Sequence, residues 1–275
     1  MRTIQIKGEE TYAMFDYQHL LQGKRALIST GARGIGKCIA LLFARQGATV
    51  MVGGRNLPAL ERTVAELQGI SPGCKGYPVD LGRGEETERM ARQVLDDFGG
   101  VDILVNTVGV NRHAPAHEYQ DNLMESFLES NYKSGMRLAR AFLPGMMHRR
   151  SGVIVNISSI HAIQTMPGYA LYAGTKGAVN AAARAMALDY ASYGIRVNTI
   201  CPGLILSDVV TDEINTYPEG AERDAFMDLL EGMQPLPPGK MEDVANAALF
   251  LASPMSAYTT GEVIMVDGGA SIKAH

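Results

Sequence analysis

From about residue 24 onward the chain alternates short apolar runs with longer segments whose apolar positions recur at helical spacing. Lys24-Arg25-Ala26-Leu27-Ile28 reads as a first strand. A helix follows in KCIALLFARQG, with Ile39, Leu42 and Phe43 on one face and Gly47 as its stop. Thr49-Val50-Met51-Val52 is a second strand that breaks at Gly53-Gly54. Pro58 opens the helix LPALERTVAELQG, where proline suits a first turn. Tyr77-Pro78-Val79 is a third strand, and EETERMARQVLDDFGG is a helix stopped by paired glycines. Four more strands lie at residues 101–105, 152–157, 195–200 and 262–266, about seven in all, with long helices around 119–147 and 172–193. Short buried strands joined through helices require crossover connections, so the pattern predicts an α/β fold: one doubly wound parallel sheet with helices on both faces. No repeat or linker divides residues 22–275, which read as a single domain. Residues 1–21 precede it as an arm carrying Tyr12, Phe15, Tyr17 and Leu20, either packed on the body or used between subunits.

Composition narrows the functional classes. Of 275 residues, 46% are hydrophobic and 20% charged, a globular balance. The net charge of −4 argues against a nucleic-acid partner. No apolar run approaches the roughly 18 residues of a membrane span, and MRTIQIKGEE has no signal-peptide core. Cys38, Cys74 and Cys201 are odd in number and far apart, so neither a disulfide framework nor a zinc cluster is expected. The expected location is the cytoplasm. His113-Ala-Pro-Ala-His117 has a proline between its histidines and no third ligand nearby, so it reads as a surface loop with no metal.

The turn between the first strand and its helix is the place for a pyrophosphate. Glycines in Gly31-Ala32-Arg33-Gly34-Ile35-Gly36 let backbone approach phosphates, and a helix N-terminus offers N–H groups. After the second strand, a carboxylate would bind ribose hydroxyls; here stands Gly54-Arg55-Asn56. Arg33 and Arg55 together suit a 2′-phosphate, which predicts NADP(H) over the alternative NAD(H). Arg55 as a solvated surface residue is the competing reading. Asp80-Leu81 follows the third strand, either as an adenine-contacting pair or with Asp80 as an N-cap. Asn106 and Gly109 end the fourth strand, Gly109 letting chain pass close to the cofactor.

Tyr172 and Lys176 stand i, i+4 at the start of a helix and so share a face. A phenol of pKa ~10 needs roughly 4 kcal/mol of electrostatic help to reach ~7. Lys176, a nicotinamide cation and a hydrogen-bonding hydroxyl would jointly supply it. Ser158-Ser159 at the end of the preceding strand provides that hydroxyl.

With these motifs in this order, the chain resembles a short-chain dehydrogenase/reductase over roughly residues 22–270. The motifs are Gly34-Ile35-Gly36, Asp80, Asn106 with Gly109, Asn131, Ser159, Tyr172, Lys176, Pro202-Gly203 and Val266-Asp267-Gly268-Gly269. The resemblance implies a Rossmann-type seven-stranded domain. It also implies Tyr172 as general acid–base, Ser159 (thirteen residues upstream, hence preferred to Ser158) holding the carbonyl oxygen, and Lys176 binding the nicotinamide ribose. Asn131 would hold a relay water. Pro202, Gly203, Ile205 and Ser207 would lie along the nicotinamide. The turn departs from the family's Thr-Gly-x-x-x-Gly-x-Gly, because a gapless match puts Ser29 and Thr30 in the Thr-Gly places. Thr30 is poorly suited to a positive φ, so either Gly31 takes the turn or Thr30 keeps an ordinary dihedral. Thr107 and Val108 depart from the usual Asn-Asn-Ala-Gly or Asn-Ala-Ala-Gly and are expected only to repack the strand end.

The expected reaction interconverts a secondary alcohol and a ketone, and the expected partner is a small carbonyl or alcohol substrate. Residues 204–238 would form a lid; positions 208 to 231 hold eight acids and one base, which disfavours a strongly anionic substrate. His161, Gln164 and Tyr169 suit a sugar or polyol, while Met166, Met227 and Met233 suit a hydroxysteroid or 3-oxoacyl compound. The polar class is preferred. A non-catalytic NADP-binding redox sensor is the reading from another class, set against it by the intact Asn131, Ser159, Tyr172 and Lys176. The helices around 119–147 and 172–193 are where family members assemble, so a homotetramer or homodimer is expected.

Overall fold

The computed structural model describes residues 18–215 and 217–273, so Tyr12, Phe15 and Tyr17 of the arm lie outside the described residues. Leu20 donates its amide to Gln46 Oε1, and Leu21 is buried in the core. Seven parallel strands form one sheet: β1 (Arg25–Ile28), β2 (Thr49–Gly54), β3 (Lys75–Pro78), β4 (Ile103–Asn106), β5 (Gly152–Ile157), β6 (Ile195–Pro202) and, last in the chain, β9 (Val263–Val266). Their order is β3-β2-β1-β4-β5-β6-β9, a doubly wound Rossmann-type sheet as the pattern predicts.

Helices cover both faces, and the period of two within strands supplies each face. Ala26 and Ile28 of β1 pack with α1 (Gly34–Arg45) and α9 (Met241–Ala252), through Ile39, Phe43, Val244 and Leu251. Leu27 between them points the other way, to α3 (Gly84–Phe98), α5 (Ser134–Arg149) and α6 (Ala170–Tyr190), through Val94, Phe142 and Ala183. α2 (Leu57–Gln68) begins at Asn56, whose side chain caps it, with Pro58 in its first turn.

Three local expectations need correction. β2 does not break at Gly53-Gly54 but runs through both. A Cβ at Gly53 would lie 2.4 Å from Ser29 O, and one at Gly54 would lie 2.8 Å from Ala32 Cβ, so these glycines admit the β1–α1 loop rather than end the strand. The helical stretch around 119–147 is divided: α4 (Asp121–Leu128), a π-helical turn Glu129–Lys133 that contains Asn131, then α5. A second, two-stranded sheet was not anticipated: β7 (Ile205–Leu206) pairs with β8 (Gly239–Lys240). It clasps the two stems of the segment that holds α7 (Asp208–Ile214) and α8 (Ala221–Gly232).

Candidate active site

A cleft of about 690 Å³ opens at the carboxyl ends of the strands. Lining residues follow both β1 and β4, between which the strand order reverses, the crevice in which open α/β sheets bind ligands. The register aligns its rim: Ile28 lies opposite Val52 and Val105, Asn106 opposite Asn156, and Ile157 opposite Ile200.

At one end of the cleft lie Thr30, Arg33, Gly34, Ile35 and Gly36. No side chain caps α1, whose N-cap is Arg33, and its first turn holds no acid, so its leading N–H groups suit an anion. Gly34 has φ +62°, and a Cβ on Gly36 would fall 1.8 Å from Thr30 O. Thr30 keeps an ordinary negative φ, the second of the two options; the left-handed residue of the turn is Gly34. Gly31 sits beneath the loop against Val52 and donates its amide to Gly53 O.

Arg55, Asn56, Asp80 and Leu81 extend the cleft. The Arg55 guanidinium is exposed and 4.0 Å from an Asp80 carboxylate oxygen, while Asn56 Oδ1 accepts from Ala59 N as the α2 cap. Asp80 is not an N-cap: α3 starts after Arg83, and Asp80 Oδ1 accepts from Gly82 N at 3.0 Å in a local turn.

The opposite end gathers Ser159, Tyr172 and Lys176 with Gly109, Pro202, Gly203, Ile205 and Ser207. The first turns of α6 put the Lys176 Nζ 5.8 Å from the Tyr172 ring centroid. Lys176 is buried and donates to Val108 O and Ile157 O, each at 3.0 Å, the carbonyls of two adjacent strand ends. A Cβ on Gly109 would stand 3.3 Å from that ammonium, a tight approach that glycine relieves. Burial pulls the Lys176 pKa down to about 8. Burial pushes the Tyr172 phenol up to about 12, against a hydrogen bond with Ser159 that lowers it. The expected depression of the phenol is therefore not a property of the unliganded chain. Of the two serines, Ser158 donates to Lys176 O and only Ser159 bonds the phenol.

Outside the cleft's lining stand Gly31, Asn106, Asn131, His161 and Tyr169, and also Gln164, Met166, Met227 and Met233. Gly31 is described above. Asn106 donates to Asn156 Oδ1 at 2.9 Å and, with Asn131, lines a smaller neighbouring cavity. Asn131 does not present a free amide for a relay water. Its Oδ1 accepts from Val110 N, and its Nδ2 donates to Val110 O and Thr175 Oγ1. His161 and Tyr169 stack at 4.2 Å beside Tyr172, His161 edge-on to its ring at 5.7 Å. His161 is held below its ordinary pKa by burial.

Four residues support the site through contacts that no spacing in the sequence shows. Thr175 donates to Tyr172 O and so links Asn131 to the helix bearing the phenol. His113 bonds Pro167 O and Tyr119 bonds Gly168 O, fastening the loop before Tyr169. Thr107 does more than repack a strand end, since its side chain bonds Thr30. Only the fold brings these partners together across 44 to 77 residues.

The family described as enoyl-(acyl carrier protein) reductase matches residues 30–271. The 3-oxoacyl-(acyl-carrier-protein) reductase FabG of Thermotoga maritima is 34% identical over 252 residues, 92% of this chain and 99% of that relative. The chain belongs to the short-chain dehydrogenase/reductase family. A 3alpha-hydroxysteroid dehydrogenase of Mediterraneibacter gnavus is 32% identical over 254 residues, 91% of this chain and 98% of that protein. Among solved structures, L-sorbose reductase from Gluconobacter frateurii, complexed with NADPH and L-sorbose, superposes with a TM-score of 0.87 at 29% identity, covering 92% of this chain and 98% of that one. As a member of this family the protein is an oxidoreductase of CH–OH and ketone groups that uses a nicotinamide dinucleotide. Among the described residues, no helix is long and apolar enough to cross a membrane, and no three His, Cys, Asp or Glu side chains are grouped to hold a metal.

Proposed function

We propose that this short-chain dehydrogenase/reductase interconverts a secondary alcohol and a ketone with NADP(H), Tyr172 acting as general acid–base. One observation carries the reading: Ser159, Tyr172 and Lys176 meet at one end of a cleft whose other end is an uncapped helix N-terminus. A dinucleotide fits that cleft, because in its cradle Gly34 takes a positive φ and a Cβ on Gly36 would meet Thr30 O at 1.8 Å. Thr30, Gly31, Arg33, Gly34, Ile35 and Gly36 would hold its pyrophosphate. Arg33 and Arg55 would take the 2′-phosphate beside Asn56, and the absence of a carboxylate after β2 favours this. Asp80 and Leu81 would meet the adenine, and Asn106, Gly109, Pro202, Gly203, Ile205 and Ser207 the nicotinamide side.

When bound, the dinucleotide supplies or accepts a hydride. Tyr172 Oη gives its proton to the carbonyl oxygen in reduction and takes the hydroxyl proton in oxidation. Ser159 Oγ holds that oxygen. Lys176, fixed by Val108 O and Ile157 O, binds ribose hydroxyls and favours the phenolate. Asn131 acts through Val110 and Thr175, keeping the loop after β4 against α6.

The substrate favoured is a small polar carbonyl compound, a sugar or polyol. His161 and Tyr169 beside the phenol support it, as does likeness to the sorbose reductase. The names of the reductase and steroid dehydrogenase relatives favour a second reading, a 3-oxoacyl or hydroxysteroid substrate, for which the exposed Ile163, Met166 and Leu206 offer apolar surface. Residues 204–238 would close over either. Assembly as a homotetramer or homodimer is supported by an open groove of about 590 Å³ on α5 and α6, lined by Leu143, Met147, Met186 and Tyr190. Absorbance at 340 nm, with NADPH or NADH against ketoses, hydroxysteroids and 3-oxoacyl esters, tests the proposal. Turnover of a ketose with NADPH is expected; no turnover across the whole panel overturns it.

A further inference from the structure

The two places where this chain departs from its family's motifs, Ser29-Thr30 and Thr107, are in contact. Thr107 Oγ1 donates to Thr30 O at 2.9 Å and accepts from Thr30 N at 3.0 Å. It also stands 2.8 Å from Thr30 Oγ1. A hydroxyl has one proton and two lone pairs. Since the Thr107 proton goes to the carbonyl, Thr30 Oγ1 is the donor in the third contact. Thr30 thus makes the three short bonds of the Thr107 hydroxyl, with Ser29 Oγ a longer contact at 3.4 Å. The Thr107 amide meanwhile donates to Ser29 Oγ at 2.9 Å.

The carbonyl so held is the one that α1 passes over. Gly36, in the first turn of α1, is the residue whose added Cβ would lie 1.8 Å from Thr30 O. A chain of contacts therefore runs from the end of β4, through the Thr107 hydroxyl and Thr30 O, to Gly36 in the first turn of α1. Thr30 occupies the place where the family has a glycine, and a glycine there would have no hydroxyl to give.

We infer that Thr107 is a positioning residue for the dinucleotide: through Thr30 it sets where the head of α1 stands relative to the end of β4, and hence the spacing between the pyrophosphate and nicotinamide ends of the cleft. This rests on the cofactor reading above. Of the three bonds of this strap, two go to the main chain of Thr30 and survive loss of its hydroxyl, while the third is shared by the two hydroxyls and is lost with either.

Four variants test it: Thr107→Val, Thr107→Ser, Thr30→Val and the Thr30→Val/Thr107→Val double. Two measurements are made on each, amide hydrogen exchange across residues 29–36 without ligand and NADPH affinity by calorimetry, with KM and kcat alongside. Thr107→Val is expected to speed exchange in the loop and weaken NADPH binding fivefold or more, with KM for NADPH rising more than kcat falls. Thr107→Ser, which keeps the hydroxyl, should stay within twofold of wild type. The double variant should lose less than the product of the single losses, since the hydroxyl–hydroxyl bond is already lost in either single variant. Unchanged exchange and affinity in Thr107→Val, a serine variant no better than the valine one, or fully multiplicative losses would each overturn the inference. A wild-type protein that binds neither NADPH nor NADH overturns the functional reading and, with it, the strap's role toward a dinucleotide. Wild-type binding that survives unweakened in Thr107→Val overturns the strap alone.

Discussion

The Lys176 ammonium stands 5.8 Å from the centroid of the Tyr172 ring and is tied to two main-chain carbonyls, Val108 O and Ile157 O. Ile157 ends β5 and Val108 lies just past β4, so the ammonium ties the first turns of α6 to the rim of the sheet. Lys176 is buried and Tyr172 half-buried, and the loss of water opposes charge on both groups: the phenol sits at about 12 and the ammonium at about 8. The phenol is thus kept as an acid, ready to give a proton, and becoming a base requires positive charge added beside it.

That arrangement makes Tyr172→Phe the sharpest single change. The ring remains, so packing against His161 and Lys176 is kept, while the transferable proton is lost. Turnover should fall by about 10³-fold, within the range general acid–base groups contribute. NADPH affinity by calorimetry should stay within a few-fold. Activity within tenfold of wild type would remove Tyr172 from the proton-transfer step.

The two directions of reaction should differ in their response to pH. Reduction needs the protonated phenol, which a pKa of about 12 ensures across neutral pH, so its rate should stay level from pH 6 to 8. Oxidation needs the phenolate and should climb as pH rises toward 9. Initial rates in both directions over this range check the contrast, and an oxidation rate that falls with pH would contradict it.

Stability should carry the mark of Lys176 as well. Its pKa is about 8 in the folded chain against an ordinary 10.5, so between those values the unfolded chain binds a proton that the folded one does not. Folding stability from this group therefore rises with pH above 8, on the order of 1 kcal/mol per pH unit at most. Tyr172 works in reverse only above pH 10, where the unfolded phenol ionises and the folded one does not. In urea melts from pH 8 to 10, wild type should gain on Lys176→Met as pH increases; a constant difference would mean that the ammonium is not depressed.

Much of this was legible beforehand. Strand and helix order followed from period-two and helical spacing, because a sheet buried on both faces demands near-continuous apolar strands such as Ala26-Leu27-Ile28. Tyr172, Lys176 and Ser159 were legible because their spacing is fixed by one helix and one strand end. Gly53 and Gly54 misled because glycine as a breaker and glycine as a point of close approach look alike in sequence. The bonds of Thr107 and Asn131 were not legible for another reason: their partners, Thr30 and Val110, are 77 and 21 residues away, and only the fold joins them.

The cofactor preference turns on two guanidinium groups. The Arg55 side chain is 68% exposed and only 4.0 Å from Asp80, a distance at which a surface pair contributes little. Its removal should therefore scarcely affect folding, with melting temperature changed by less than about 2 °C. If it clamps a 2′-phosphate with Arg33, Arg55→Ala should raise KM for NADPH roughly tenfold, the loss of one charge-assisted contact, and leave KM for NADH nearly unchanged. An equal rise for both cofactors would assign Arg55 to the shared part of the dinucleotide.

Glycine positions give a test of the cradle that does not depend on the chemistry. At Gly36 an added Cβ meets Thr30 O at 1.8 Å, and the obstacle is backbone, so the loop or α1 must move. Gly36→Ala should weaken NADPH binding at least tenfold and lower the melting temperature by several degrees. Gly174 lies in α6 with nothing within 4 Å of an added Cβ. There alanine should stabilise by about 0.5–1 kcal/mol, since a helix interior prefers it to glycine. Both substitutions add one methyl group, so the opposite signs would come from place alone. Thermal melts of the two variants beside wild type, with and without NADPH, read that difference directly; a Gly36→Ala protein as stable and as well bound as wild type would mean that the turn at the head of α1 is looser than its contacts require.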